Sequence, residues 1–219
     1  MTTTKEIISS KRFVVTGLIV LFSVLFLGFF TQTVKTDPVF QTILVSVAFF
    51  LVVPALYCKM VLKESVKSLG WQPGNFAWGI LSSTFSVALA LGVIYLLSRY
   101  TPFAEEYVFP RLVETNFLWF TVYELGLVTF TLLLYEVFFR GMVQMLWLRH
   151  FGFLAIIFQS ALFALLLYLG GDISWQRVPV LLFSPLAGII AALSGSIWYS
   201  WAAGWVFLFL TDIYLLVLH

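Results

Sequence analysis

Apolar runs about one bilayer thickness long, separated by short charged or turn-forming stretches, decide what this chain can fold into. A membrane-spanning helix needs roughly 20 apolar residues at about 1.5 Å rise each. On that ruler seven segments qualify, at approximately 13–31, 41–60, 77–98, 120–147, 152–170, 178–194 and 196–217. With 62% hydrophobic and 10% charged residues and 24 Phe among 219 residues, no soluble domain of useful size fits. The expected fold is all-α, a polytopic integral membrane helix bundle of about seven transmembrane helices. The first apolar run has no small-residue cleavage site after it and reads as a retained helix.

The same composition removes several function classes. A net charge of +2 with no long basic cluster gives no footprint for nucleic acid. Cys58 is the single cysteine, and His150 and His219 are the only histidines, so no metal site and no cofactor are expected. Counting Lys and Arg in the short loops, an inside N-terminus places Lys5, Lys11, Arg12, Lys59, Lys63, Lys67 and Arg149 in the cytoplasm, against Lys35, Arg99, Arg111 and Arg177 outside. The expectation is N-terminus in and C-terminus out, with 1–12 cytoplasmic and 99–116 an extracytoplasmic loop or interfacial helix broken by Pro102 and Pro110. Glu105, Glu106 and Glu114 read as a solvated surface of that loop, and Glu124 and Asp212 as residues near the outer interface.

Inside the fourth run, Tyr135-Glu136-Val137-Phe138-Phe139-Arg140-Gly141 sets a carboxylate and a guanidinium four residues apart. A charge at the bilayer centre costs roughly 2.5–3.5 kcal/mol on insertion scales, so such groups face the bundle interior and pair. At i,i+4, with Glu on the N-terminal side, Glu136 and Arg140 share a helix face in the favourable order. They are expected to form a structural ion pair or a residual ligand site.

This stretch resembles the first motif, Glu-Glu-x-x-x-Arg, of the CPBP family of glutamic intramembrane proteases, which includes CAAX-processing and bacteriocin-processing enzymes. Tyr135 stands where that motif has its first Glu, the base of the family's reaction. Phe163 is similar to the start of the second motif, Phe-x-x-x-His, with Leu167 in the His position. Gly195-Ser196-Ile197-Trp198 resembles the phrase that precedes the third motif, and counting on puts Gly204 at its His and Leu208 at its Asn or Asp. The resemblance covers about 69–210 within a single membrane domain, 1–219. It implies a member of that fold whose catalytic set is replaced at Tyr135, Leu167, Gly204 and Leu208, and hence a pseudoprotease. A phenol of ordinary pKa about 10 is a poor substitute for a carboxylate base.

The residues lead the same way without the family. No His lies well inside a span, so no Ser-His or Cys-His nucleophile can be assembled, and Glu136 paired with Arg140 is a weakened base. Ser184, Gly188 and Ala192, then Ser196, Ser200 and Gly204, recur every fourth position as small-residue stripes that let helices approach closely. Close packing at Gly204 is expected to fill the former catalytic cavity. Trp198, Trp201 and Trp205 share a helix face and suit helix packing or contact with a partner. The expected role is a non-enzymatic binding, scaffolding or accessory subunit. Its partners would be another integral membrane protein, a hydrophobic peptide or lipid, in a prokaryotic cytoplasmic membrane. The alternatives are an intramembrane peptidase with displaced chemistry at Glu136 and Tyr135, or a bacteriocin self-immunity protein.

Overall fold

The computed structural model describes residues 14–26, 38–171 and 174–218, without the side chains of 38–42. The expected cytoplasmic segment 1–12 and the ends of the first expected span, 13 and 27–31, lie outside the described residues. Among the described residues all regular structure is helical, with no strand. The main elements are α1 (Val14–Phe26), α2 (Ile43–Leu62), α3 (Phe76–Tyr100), α4 (Phe103–Glu106), α5 (Arg111–Thr115), α6 (Phe117–Phe151), α7 (Leu154–Leu169), α8 (Val178–Ser194) and α9 (Ile197–Leu218). Five helices, α2, α3, α6, α8 with the short turn before it, and α9, are long and apolar enough to cross a membrane. Of the other two expected spans, α7 is a 16-residue apolar helix and α1 is a short apolar helix in its described part. The protein is an integral membrane protein, an all-helical bundle.

Local chemistry explains where the helices start and stop. The Asn75 side chain accepts from the Trp78 N–H at the start of α3, and Asn116 accepts from Leu118 N–H and Trp119 N–H at the start of α6. Each thereby satisfies first-turn donors that have no partner inside the helix. Pro179 sits in the first turn of α8, where its missing N–H costs nothing. Gly195 ends that helix in the left-handed conformation, φ +70°, with its N–H on Ala191 O. The chain then reverses into α9, so α8 and α9 pack as a hairpin, with α3 against both.

Two stretches of α6, Tyr123–Val128 and Glu136–Met145, are wound with i→i+5 turns, as are two stretches of α2. Such π-winding costs hydrogen-bond quality and is frequently found at functional positions. The second stretch is the most buried part of the molecule, with Glu136 through Gln144 all inside.

The 101–116 connection is not simply a solvated loop. Glu105, Glu106 and Glu114 are exposed, but Phe103, Tyr107, Phe109 and Val113 turn inward and join the core formed by α3, α6, α8 and α9. Phe103 is fully buried against Tyr107 and Trp175.

Candidate functional site

Glu136 and Arg140 project from the π-wound part of α6 into the centre of the bundle, both buried. Arg140 Nε lies 3.4 Å from Glu136 Oε1, an ionic contact without hydrogen-bond geometry. The other oxygen, Oε2, accepts from Ser200 Oγ of α9 at 2.5 Å. Arg140 Nη2 donates to Ser184 O of α8 at 3.1 Å, and the same carbonyl accepts from Gln159 Nε2 of α7 at 3.2 Å. The guanidinium also lies over the Phe163 ring, 5.5 Å from its centre, a geometry that favours a cation. One turn further on, Gln144 Nε2 donates to Gly188 O at 2.7 Å. Polar groups of α6 are thus tied to α7, α8 and α9 at one level.

Gly188 makes this convergence possible. A Cβ placed there would come within 2.8 Å of Ile156 Cγ2 and 2.9 Å of both Gln144 Oε1 and Gln159 Nε2. Ser196 and Ser200 are buried where α9 leaves the turn and crosses α6; the Ser196 N–H donates to Ser194 Oγ, and Ser196 Oγ accepts from the Trp198 N–H.

The positions singled out by motif lie around one region. Tyr135, Glu136, Arg140, Gly204 and Leu208 border a small void with Leu132, Val180 and Phe183. Phe183 reaches toward Gly204, where an added Cβ would sit 3.5 Å from its ring, and stacks on Phe207 at 4.9 Å. Tyr135, Leu208 and Leu167 also line a much larger cavity of about 520 Å³ between α2, α6, α7, α8 and α9. Packing closes the space beside Gly204, but a ligand-sized volume remains on the other side of Tyr135, whose ring is held edge-on by Phe50 and Phe163.

Asp212 lines this cavity, and both it and Glu124, read from the sequence as lying near the outer interface, are buried by surrounding protein. Their carboxyl groups lie side by side. Tyr107, folded in from the 101–116 connection, donates to Asp212 Oδ1 at 2.9 Å. Burial, and next the charge of Asp212, raise the Tyr107 phenol well above its ordinary pKa, so it keeps the proton it donates. Tyr123 and Arg177 also line the cavity, and Arg177 donates to the carbonyls of Leu167, Gly170 and Gly171 at the end of α7. An acid pair in two different apolar runs could have been suspected from the cost of burying either one alone.

The tryptophan face of α9 is partly covered by its neighbours. Trp201 Nε1 donates to Thr129 O of α6 at 3.1 Å, Trp198 meets Trp71 and Trp201 edge-on, and Trp205 stacks on Phe209. Trp198 remains partly exposed. No group of three or more metal-binding side chains occurs among the described residues.

Residues 116–210 match the family described as Type II CAAX prenyl endopeptidase Rce1-like. No curated protein and no solved structure matches the chain. The matched segment holds both phrases read from the sequence, Tyr-Glu-x-x-Phe-Arg-Gly at 135–141 and Gly-Ser-x-Trp at 195–198, together with Phe163, Leu167, Gly204 and Leu208. From α6 to α9 the chain is therefore similar to the Rce1-like endopeptidase family, in agreement with the resemblance carried by these phrases.

Proposed function

We propose that the chain is a catalytically inactive relative of these endopeptidases that binds, without cleaving, a hydrophobic peptide or a membrane protein segment. One observation carries the reading: Glu136 is buried, in ionic contact with Arg140 through Oε1 and accepting from Ser200 through Oε2. An adjacent cation and a donated hydrogen bond both stabilise the carboxylate form, which makes it a poorer base for taking a proton from water. The neighbouring positions, Tyr135, Leu167, Gly204 and Leu208, offer no imidazole or second carboxylate to replace it. The cavity of about 520 Å³ beside Tyr135 supports binding, since ligand pockets are commonly of roughly 300–1,000 Å³.

In this reading the partner segment comes from the same membrane, and the chain serves as an accessory subunit of a membrane complex. The N-terminus lies in the cytoplasm and the C-terminus outside, with the 101–116 connection on the outer face, following the Lys and Arg distribution.

The test uses purified full-length protein in lipid nanodiscs, incubated with a prenylated C-terminal peptide and followed by mass spectrometry. Binding with no cleavage above the Glu136→Ala variant is the expected result. Cleavage that disappears in Glu136→Ala would overturn the proposal and establish displaced peptidase chemistry at Glu136 and Tyr135.

A further inference from the structure

We propose that the end of the bundle formed by the turns after α2, α6 and α8 holds an anionic phospholipid, with its headgroup phosphate on Lys59, Lys63 and Lys67. None of these lysines lines the large cavity, so the inference goes beyond the binding role proposed above and stands apart from it.

Three turns are tied together at this end. Arg149 Nη1, in the last turn of α6, donates to both carboxylate oxygens of Glu64 at 3.2 Å. Gln72 Nε2 donates to Gly195 O at 3.1 Å, the Asn75 N–H to Ser194 O at 2.7 Å and the Ile197 N–H to Gly70 O at 3.1 Å. Of Lys, Arg, Asp and Glu, the segments so joined, 57–75, 144–156 and 191–199, contain Lys59, Lys63, Lys67, Arg149 and Glu64. The single acid is thus already committed to Arg149. Lys59, Lys63 and Lys67 are exposed, and among the described residues none of them forms an ion pair.

The backbone that carries these lysines is held by the protein itself. Lys63 ends α2 in the left-handed conformation, φ +53°, and Ser65 Oγ accepts from the Lys67 N–H at 3.4 Å. Cys58 is fully buried, its thiol 3.5 Å from Glu64 O and 3.6 Å from both Ser65 O and Ser68 Oγ, and Leu69 is buried in the core. Binding therefore has only the lysine side chains to order, which keeps its entropic cost low.

Depth selects a lipid over an anion or an acidic protein from water. Lys59 lies inside the membrane-crossing helix that ends at Leu62. Its neighbours Leu56, Met60 and Val61 are exposed apolar side chains, and Val66 is exposed beside Lys67. Such side chains lie against acyl chains, while an ammonium on a long stem reaches out to the level of the headgroups. Anionic lipid next to a membrane helix attracts basic side chains by on the order of fivefold in affinity for each lysine.

The test uses the full chain in nanodiscs made from equal parts of phosphatidylcholine and phosphatidylglycerol. Lipids still bound after transfer to mild detergent are counted by native mass spectrometry. The expected result is bound phosphatidylglycerol in excess over phosphatidylcholine by on the order of tenfold or more. Lys59→Gln combined with Lys63→Gln and Lys67→Gln should abolish the excess, and Lys→Arg at the same three positions should keep it. An excess that survives the three Gln substitutions would overturn the proposal. Equal retention of the two lipids by wild type, or loss of the excess on adding inorganic phosphate, would also overturn it and leave the lysines to a partner from water. The wild-type comparison decides the matter even where a variant does not fold.

Discussion

Glu136 has one partner on its own helix and one across the bundle, and this unequal sharing determines what each substitution does. Removing Arg140 leaves a buried carboxylate held by Ser200 alone and also frees the Ser184 carbonyl from one donor. Arg140→Ala is expected to lose about 3–5 kcal/mol, as for a broken buried pair. Replacing both charges, Glu136→Leu with Arg140→Met, is expected to lose less, because no charge is left unpaired. Thermal unfolding in nanodiscs separates the cases, and equal midpoints for wild type and both variants would refute the pairing. Gly204 behaves differently. Its added Cβ would make an ordinary 3.5 Å contact with Phe183, and alanine favours helix over glycine by about 1 kcal/mol. Gly204→Ala is therefore expected to be neutral or slightly stabilising in the same measurement, whereas a site held open for a reacting group would lose ligand affinity.

At the scale of elements, the bundle is held by close approach at one level and by a folded-in connection at one end. Gly188 lets α8 meet Gln144 of α6 and Gln159 of α7. Gly188→Ala forces two hydrogen-bonded amides and the Ile156 methyl to move, a cost of about 1–3 kcal/mol by analogy with overpacked cores. The expected readout is a lower unfolding midpoint together with faster hydrogen exchange in α7. The 101–116 connection contributes through Phe103, fully buried beside Tyr107 and Trp175. Phe103→Ala is expected to cost about 3–5 kcal/mol and to make this connection cleavable by added protease under conditions where wild type resists. Resistance equal to wild type would show that the connection is held by its other contacts.

For the molecule as a whole, the long apolar runs made the helical membrane architecture legible, because length and hydropathy are properties of contiguous sequence. The Tyr135–Gly141 phrase was legible for a related reason, since two charges in an apolar run stand out. The inward turn of Phe103, Tyr107, Phe109 and Val113 was not, because these residues alternate irregularly with exposed Glu105, Glu106 and Pro110 and show no helical or strand period. Asp212 beside Glu124 was hidden as well, since each alone looks like a helix-end acid and only the meeting of α6 and α9 joins them. The tie between Glu136 and Ser200 has a consequence for how the protein is made. Its two ends are 64 residues apart, so during synthesis α6 enters the bilayer before its acceptor is answered. A nascent chain ending at Ser194 would carry that half-satisfied carboxylate into the membrane, and it should be removed by membrane quality control instead of accumulating. Arrival of α9 would thereby supply the hydroxyl that lets the buried acid of α6 be kept.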